Sequence, residues 1–338
     1  MPGNVYQIKI NNPGSIYHEK TINEIAPETR IRDLFPRGVK NKKIAVDASN
    51  LIYNSVLATP GVNTLTDKSG NHTGYLKIIL DKIAVFAEAD IKLVFVFDSP
   101  EPNPLKLDEI KRRAEFREQR VSVPGLTDEE RERRGFRLSS REINDLKLML
   151  AGIGAEYYEV IPGIEGEQFA AFLTRSPDIG IGEECAPALR ECKYVLTNDG
   201  DVLMFGGNVL RYARGKKKDN SLRAKTDYTK YELFEILRNM NCSYTDFVKM
   251  GVILGTDFNA STPRVGTTAI MKKYSGIELT PEQLNAYNYF MKTITWDMAT
   301  HTVNKYNPGA LVEFLRDGKN FSMETIERAL KNIEPVYK

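Results

Sequence analysis

Hydrophobic and polar positions along this chain fall into two kinds of run. Lys43-Ile44-Ala45-Val46-Asp47 and the segment from Lys92 to Asp98 are short, apolar and rich in β-branched or aromatic residues, and each ends in Asp. The segments Glu156 to Ile161 and Lys193 to Thr197 have the same character. Near-continuous apolar runs of this length suit strands buried on both faces, as in a parallel sheet. Between them, helical spacing is predicted over 48–58, 74–88, 141–152, 165–174 and 230–239. The alternation predicts an α/β fold with a mostly parallel central sheet flanked by helices. From Lys106 to Ser140 the pattern becomes charged and helix-favouring, broken at Val123-Pro124-Gly125. With little apolar material to bury, this stretch is expected to project from the sheet as a mobile helical excursion. After Asp257 the chain turns mainly helical, with interruptions at Pro263, Gly276 and Pro308-Gly309.

Composition narrows the class without naming a chemistry. The chain has 338 residues, 41% apolar and 27% charged, ordinary values for a soluble globular protein. No apolar run approaches the roughly 20 residues of a membrane span, and the opening MPGNVYQIKINN lacks the basic-then-apolar order of a secretory signal. No membrane partner and an intracellular location are therefore expected. Cys185, Cys192 and Cys242, like His18, His72 and His301, are too scattered for a disulfide framework or a His/Cys metal site. The net charge of +2 announces no partner. Lys216, Lys217 and Lys218, flanked by Arg211, Arg214, Arg223 and Lys225, form a basic run, and Lys106 to Arg141 is a mixed one. Each fits a solvated helical face and a phosphate-binding surface equally.

The acidic residues say more. In an open α/β sheet, ligands sit outside the carboxyl ends of the strands. Asp47 and Asp98 stand at two such ends, Glu165 and Glu167 follow the third strand, and Asp199 and Asp201 follow the fourth. The i, i+2 spacing lets both members of a pair reach one locus, and Gly166 and Gly200 ease the backbone between them. A single Asp after a strand is more often a helix N-cap, but four such features at successive strand ends point to one cluster. Carboxylates held close raise each other's pKa sharply unless cations intervene. All-oxygen clusters suit Mg²⁺ or Mn²⁺, and two such ions can activate water and stabilise the leaving oxygen of a phosphodiester. The expected chemistry is phosphodiester hydrolysis with two Mg²⁺ ions, for which Mn²⁺ can substitute.

The segments Val46-Asp47-Ala48-Ser49-Asn50-Leu51-Ile52-Tyr53, Phe95-Val96-Phe97-Asp98, Pro104-Leu105-Lys106 and Glu165-Gly166-Glu167 come first in a longer ordered set. Thr197-Asn198-Asp199-Gly200-Asp201, Leu254-Gly255-Thr256-Asp257 and Gly318-Lys319-Asn320-Phe321-Ser322 complete it. In this order and spacing they resemble the flap endonuclease family, the replication branch of the 5′ nuclease superfamily, from about Ala26 to Ile333. The resemblance implies a 5′ nuclease (PIN-like) fold with a helical arch and a C-terminal helix–turn–helix region. It adds Asp257 to a two-metal site otherwise made of Asp47, Asp98, Glu165, Glu167, Asp199 and Asp201. It also implies that Lys106 and Arg113 contact the scissile phosphate and that Tyr53 stacks on a base near the cleavage point. The charged excursion resembles the arch under which a single-stranded 5′ flap threads, disordered alone and ordered by substrate. Tyr244 to Tyr274 resembles the helix–turn–helix that grips duplex backbone, with Gly266, Lys272 and Lys273 in the phosphate-facing set. Arg264 stands where the family has the first of two glycines. Whether the backbone–phosphate approach and the monovalent ion held there persist is left open by this departure, and a side-chain phosphate contact by Arg264 is the alternative. Lys319 and Phe321 match a pocket for a one-nucleotide 3′ flap, with Thr325 in place of a family arginine.

The expected organisation is one nuclease domain over 1–338, with an N-terminal nuclease region (27–118) and an arch (106–147). An internal nuclease region (147–240), a helix–turn–helix (241–275) and a C-terminal helical region (276–338) follow. Residues ahead of about Lys20 extend beyond the family's Met-Gly start, so that they either fold aside or forgo the N-terminal role. The end at Lys338 shows no Gln-x-x-Leu-x-x-Phe-Phe motif, so no sliding-clamp binding through that tail is expected. The expected protein is a monomer acting on DNA with a 5′ flap or a single-strand/duplex junction, at the site of replication in a nucleus or viral compartment. A Holliday-junction or gap-type nuclease of the same superfamily is the near alternative. A catalytically inactive DNA-binding scaffold is the alternative of another class; it predicts a lost metal ligand, and none is lost.

Overall fold

Alternate residues of the central strands feed two separate cores, which is why those strands read as unbroken apolar runs. Ala45, Val94, Val96 and Val195 face one core; Ile44, Val46, Leu93, Phe95, Phe97 and Leu196 face the other. The structure, a computed structural model, describes residues 4–11, 19–58, 65–175, 191–212 and 227–338. The basic run at Lys216–Lys218 with Arg214, Arg223 and Lys225 lies outside the described residues, as do His18 and Cys185.

From the N-terminal side, β1 (Lys9–Asn11) and β2 (Glu19–Thr21) pair antiparallel and lead through α1 (Ile22–Ile25) to β3 (Glu28–Arg30). Next, β4 (Lys42–Asp47) precedes α2 (Ala48–Ala58) and α3 (Gly74–Glu88). After β5 (Ile91–Phe97) comes the helical pair α4 (Leu107–Val121) and α5 (Asp128–Gly135), and α6 (Ser140–Ile153) returns the chain to β6 (Tyr157–Val160). Then follow α7 (Gly166–Thr174), β7 (Val195–Leu196), α8 (Asp201–Met204), β8 (Val209–Tyr212) and β9 (Asp227–Tyr231). The rest comprises α9 (Leu233–Met240), α10 (Tyr244–Leu254), α11 (Ile270–Lys273), α12 (Pro281–Phe290), β10 (Ala299–Thr302), α13 (Pro308–Val312) and α14 (Met323–Tyr337).

The main sheet runs in the order β10-β6-β5-β4-β7-β8-β9-β3, with β6 through β8 mutually parallel and antiparallel strands at both flanks. One face is covered by α7, α8, α9, α10 and α12, the other by α2, α3, α6 and α14. The predicted helices 48–58 and 74–88 coincide with α2 and α3, and those at 141–152 and 165–174 start within a residue of α6 and α7. The helix predicted at 230–239 begins only at Leu233, because Lys230 and Tyr231 still belong to β9. β7 is shorter than its apolar run because the chain turns at Thr197, whose hydroxyl accepts the Asp199 amide at 3.1 Å.

The charged excursion forms α4 and α5, and none of the side chains of α4 is buried. Its Leu, Glu, Lys, Arg and Gln content favours helix intrinsically; Asp108 and Glu109 in the first turn and Arg120 in the last complement the helix dipole. Arg131 on α5 donates to the Val121 carbonyl at 3.0 Å, closing the pair on itself.

The strand that delivers Asp98 is anchored from α14: the Tyr337 hydroxyl accepts the buried Leu93 amide at 2.8 Å. Removing that acceptor strands a buried donor, which costs about 1–3 kcal/mol. Tyr337→Phe is therefore expected to lower the unfolding free energy by about that amount in urea titrations with an unchanged m-value.

Candidate active site

Because β6, β5, β4 and β7 are adjacent and parallel, their carboxyl ends open on one edge of the sheet. Asp47 is the last residue of β4 and Asp98 follows β5 directly. Glu165 is the N-cap residue of α7, Glu167 lies in its first turn, and Asp201 opens α8 two residues after Asp199. Asp257 arrives from α10, past Gly255, whose φ of +90° needs a glycine.

Local hydrogen bonds aim these acids. The Gly166 amide donates to Asp98 Oδ1 at 2.7 Å and Ser49 Oγ donates to Asp98 Oδ2 at 2.6 Å. A Cβ at position 166 would lie 2.8 Å from Asp98 Oδ1, so any side chain there would have to displace that carboxylate. The Asn50 amide donates to Asp47 Oδ1 at 3.0 Å, and the Asp201 amide donates to Asp199 Oδ1 at 3.0 Å. Asn50 Oδ1 also accepts the Asn198 amide at 3.4 Å, joining α2 to the loop that carries Asp199.

Two cations, Lys106 just before α4 and Arg113 on it, enter this cluster. Lys106 Nζ lies 2.9 Å from Glu165 Oε2 and 3.0 Å from Glu167 Oε1, over the ring of Phe258 at 4.7 Å. Arg113 reaches from α4 to Asp257, and its Nε donates to Glu109 at 2.7 Å. Asn103 fixes the turn before Lys106: it accepts the Leu105 amide at 3.0 Å and donates to the Tyr289 hydroxyl at 2.8 Å.

Charge crowding is visible in the acids themselves. Burial, then the charge of Asp98, pushes Asp47 up to about 8. Burial raises Glu167 well above the usual range; Lys106 opposes this, and Asp199 and Asp201 reinforce it. Burial also raises Asp199, and burial followed by repulsion from Asp199 and Asp257 lifts Asp201 further. Asp98 and Asp199 act on Asp47, Asp199, Asp201 and Glu165 on Glu167, and Asp257 on Asp199 and Asp201, so the seven acids lie in one cluster. Among the described residues, Lys106 and Arg113 are the cations ion-paired to these seven. Asp201 Oδ2 is buried and has no hydrogen-bond partner among the described residues. An all-oxygen set with excess negative charge and an orphaned acceptor fits hard divalent cations.

The remaining predicted residues lie elsewhere. Tyr53 is half-buried on α2, its ring 6.2 Å from that of Phe136 just past α5. Arg264 is exposed and takes φ +64°, the left-handed conformation that favours glycine. A Cβ at Gly266 would meet nothing within 4 Å, so the glycine-like geometry of this turn resides at Arg264. Lys272 and Lys273 are exposed on α11. Lys319, by contrast, has a side chain 11% exposed and paired with Asp145 at 2.6 Å; Phe321 is buried. Its ammonium is thus engaged inside the protein, beside the Tyr75 hydroxyl that also binds Asp145 at 3.1 Å.

Ser49, Asn50, Asn103 and Phe258 escaped the sequence reading. Only Asn103-Pro104 carried a local signal, since Asn before Pro marks a turn. A second acidic group, Glu156, Glu191 and His301, brings ligand atoms within 4.8 Å of one another at the amino edge of the strands. Lys43 Nζ already sits 2.5 Å from Glu156 and 2.9 Å from Glu191, and the Tyr158 hydroxyl donates to Glu191 at 2.7 Å. That group is therefore an ion-pair network centred on the Lys43 ammonium.

The family profile of the XPG N-terminal domain matches residues 19–120, and that of the XPG I-region matches residues 162–257. Flap endonuclease 1 of Methanocella arvoryzae is 25% identical over 329 residues, covering 89% of this chain and 92% of its own. That of Hyperthermus butylicus is 26% identical over 349 residues, 94% of each chain. Among solved structures, flap endonuclease-1 from Methanococcus jannaschii superposes with a TM-score of 0.64 at 20% identity, over 94% of this chain and 98% of that one. The catalytic core of Rad2 with a DNA substrate gives 0.62 at 18% identity (92% and 96% covered), and human GEN1 with Holliday junction DNA gives 0.61 at 16% (93% and 76%). At these identities the superpositions establish a shared fold.

Two outcomes follow from the geometry. Gly166→Ala is expected to push the Asp98 carboxylate off its amide and weaken Mn²⁺ binding about 10- to 100-fold, read by electron paramagnetic resonance of free Mn²⁺. The second concerns pH. A carboxyl whose folded pKa is raised from 3.8 to about 8 contributes stability that is full below the unfolded value and lost as pH rises through the folded one. Thermal melts in EDTA are accordingly expected to fall in midpoint between about pH 4 and pH 8. Added Mg²⁺ is expected to flatten that fall, because cations take over the neutralising role.

Proposed function

Because the chain belongs to the flap endonuclease family as a divergent member, we propose that it is a Mg²⁺-dependent, structure-specific 5′ flap endonuclease. We assign it 5′–3′ exonuclease activity as well, in DNA replication or repair. The observation that carries this is the convergence of seven carboxylates with Lys106 and Arg113 on one sheet edge. Asp47, Asp98, Glu165, Glu167, Asp199, Asp201 and Asp257 would hold two Mg²⁺ ions, with Mn²⁺ able to substitute. Those ions, when bound, supply water activation and charge neutralisation at the leaving oxygen.

The chain's own residues do the positioning. Lys106 and Arg113 stand where they can exchange their carboxylate partners for oxygens of the scissile phosphate, offsetting charge that develops there. Phe258 beneath the Lys106 ammonium keeps that side of the site apolar. Tyr53, its ring tilted against that of Phe136, offers an aromatic face to an unpaired base. Arg264, Lys272 and Lys273 are exposed and available to duplex phosphates, which position DNA without reading its sequence. A junction- or gap-cutting activity is the second reading, favoured by the fold shared with GEN1, whose structure holds Holliday junction DNA.

The test is cleavage of end-labelled double-flap, gap, Holliday-junction and single-stranded DNA with Mg²⁺, beside Asp199→Asn. Preferential cutting of the double flap is expected, with Asp199→Asn slower by about 100-fold or more, at or beyond the upper end of second-shell losses. No Mg²⁺-dependent product on any substrate would overturn the nuclease reading; equal cutting of plain single strands would overturn its structure specificity. Arg264→Gly is expected to weaken duplex binding and lower the slope of log affinity against log salt by about 0.9. An unchanged slope would exclude a phosphate contact.

A further inference from the structure

The segment ahead of β3 is built into the core that backs the acid cluster. Tyr6 is 2% exposed and Ile8 and Ile22 are fully buried, with the Ile22 amide donating to the Ile8 carbonyl at 3.1 Å. The Tyr6 ring lies 4.7 Å from that of Tyr231 on β9, and the Arg211 guanidinium from β8 sits 4.9 Å above it. Held between these two strands, the Tyr6 hydroxyl donates to the Asp199 carbonyl at 3.0 Å. That carbonyl belongs to the peptide joining Asp199 to Gly200, the hinge between two of the clustered acids. On the other side of the hinge, the Asp201 amide closes onto Asp199 Oδ1 at 3.0 Å.

From this arrangement we propose that Tyr6 is a positioning residue of the metal centre, setting the orientation of the Asp199–Asp201 loop through its hydroxyl; the proposal rests on the metal-dependent reading above. A glycine-containing loop has more backbone freedom than its neighbours, whereas cation ligands must be held to within about 0.5 Å. A rigid phenol anchored in the sheet removes that freedom at the peptide where it matters. The role falls to a part of the chain that precedes the family-like motifs.

The experiment compares the full-length wild type with Tyr6→Phe, which keeps the ring and removes the hydroxyl. Tyr231→Phe serves as the control, removing a hydroxyl of the same ring cluster that hydrogen-bonds Arg211. Mn²⁺ affinity is measured by electron paramagnetic resonance without DNA, and double-flap cleavage is titrated against Mg²⁺. Tyr6→Phe is expected to lose about 10-fold in Mn²⁺ affinity and to need correspondingly more Mg²⁺ for half-maximal cutting. KM for DNA should hold, and Tyr231→Phe should bind Mn²⁺ like the wild type. The proposal is overturned by unchanged Mn²⁺ affinity in Tyr6→Phe, by an equal loss in Tyr231→Phe, or by a Tyr6→Phe chain without a cooperative melt. A wild type that binds Mn²⁺ but cuts no DNA would sink the nuclease reading alone, leaving the Mn²⁺ comparison to decide on Tyr6.

Discussion

Repulsion among crowded carboxylates is the constraint around which this molecule is arranged. A parallel sheet brings strand ends to one edge whatever residues they carry; here the ends carry acids, and the burial of Asp47, Glu167, Asp201 and Asp257 makes the repulsion severe. The fold answers with short-range devices: backbone amides aimed at Asp47, Asp98 and Asp199, a hydroxyl from Ser49, and two cations from the arch. Even so, among the described residues Asp201 keeps an oxygen without a hydrogen-bond partner. An edge left this far from neutrality is poised for ions, and every surrounding loop is shaped by that demand.

Much of this was legible in the sequence, for a physical reason. Strands buried on both faces must be continuously apolar, so their ends, where Asp47 and Asp98 stand, are sharply marked. The spacing of Glu165 with Glu167 and of Asp199 with Asp201 then follows from helices beginning right after strands. Asp257 was invisible to that logic because it follows a helix, and it entered only through family resemblance. Ser49 and Asn50 act through hydrogen bonds that no periodicity encodes. Tyr6 was less legible still, since its partner Asp199 lies 193 residues away. Nor did the motif that holds Lys319 show that its ammonium pairs with Asp145, 174 residues away in sequence.

The arch illustrates how a segment without a core can be ordered. α4 buries no side chain, so hydrophobic packing contributes little to its position. Intrinsic propensity and its pairing with α5 account for the helix. Its placement depends on Lys106 and Arg113, which dock it onto the acids at its base. Ion pairs between half-exposed groups are weak in water, but Lys106 is largely buried and faces two carboxylates over an apolar ring. The tether is strongest at the hinge of the arch and weakest toward its tip.

That tether has a thermodynamic corollary. Lys106 and Arg113 compete with any incoming cation for the same oxygens, and competition of this kind is reciprocal. Whatever draws the two side chains away from the acids raises the affinity of the cluster for cations by the same factor by which cations favour an undocked arch. Any anion that pairs with Lys106 and Arg113 and any cation that enters the cluster therefore act on one equilibrium from opposite ends, and each makes room for the other.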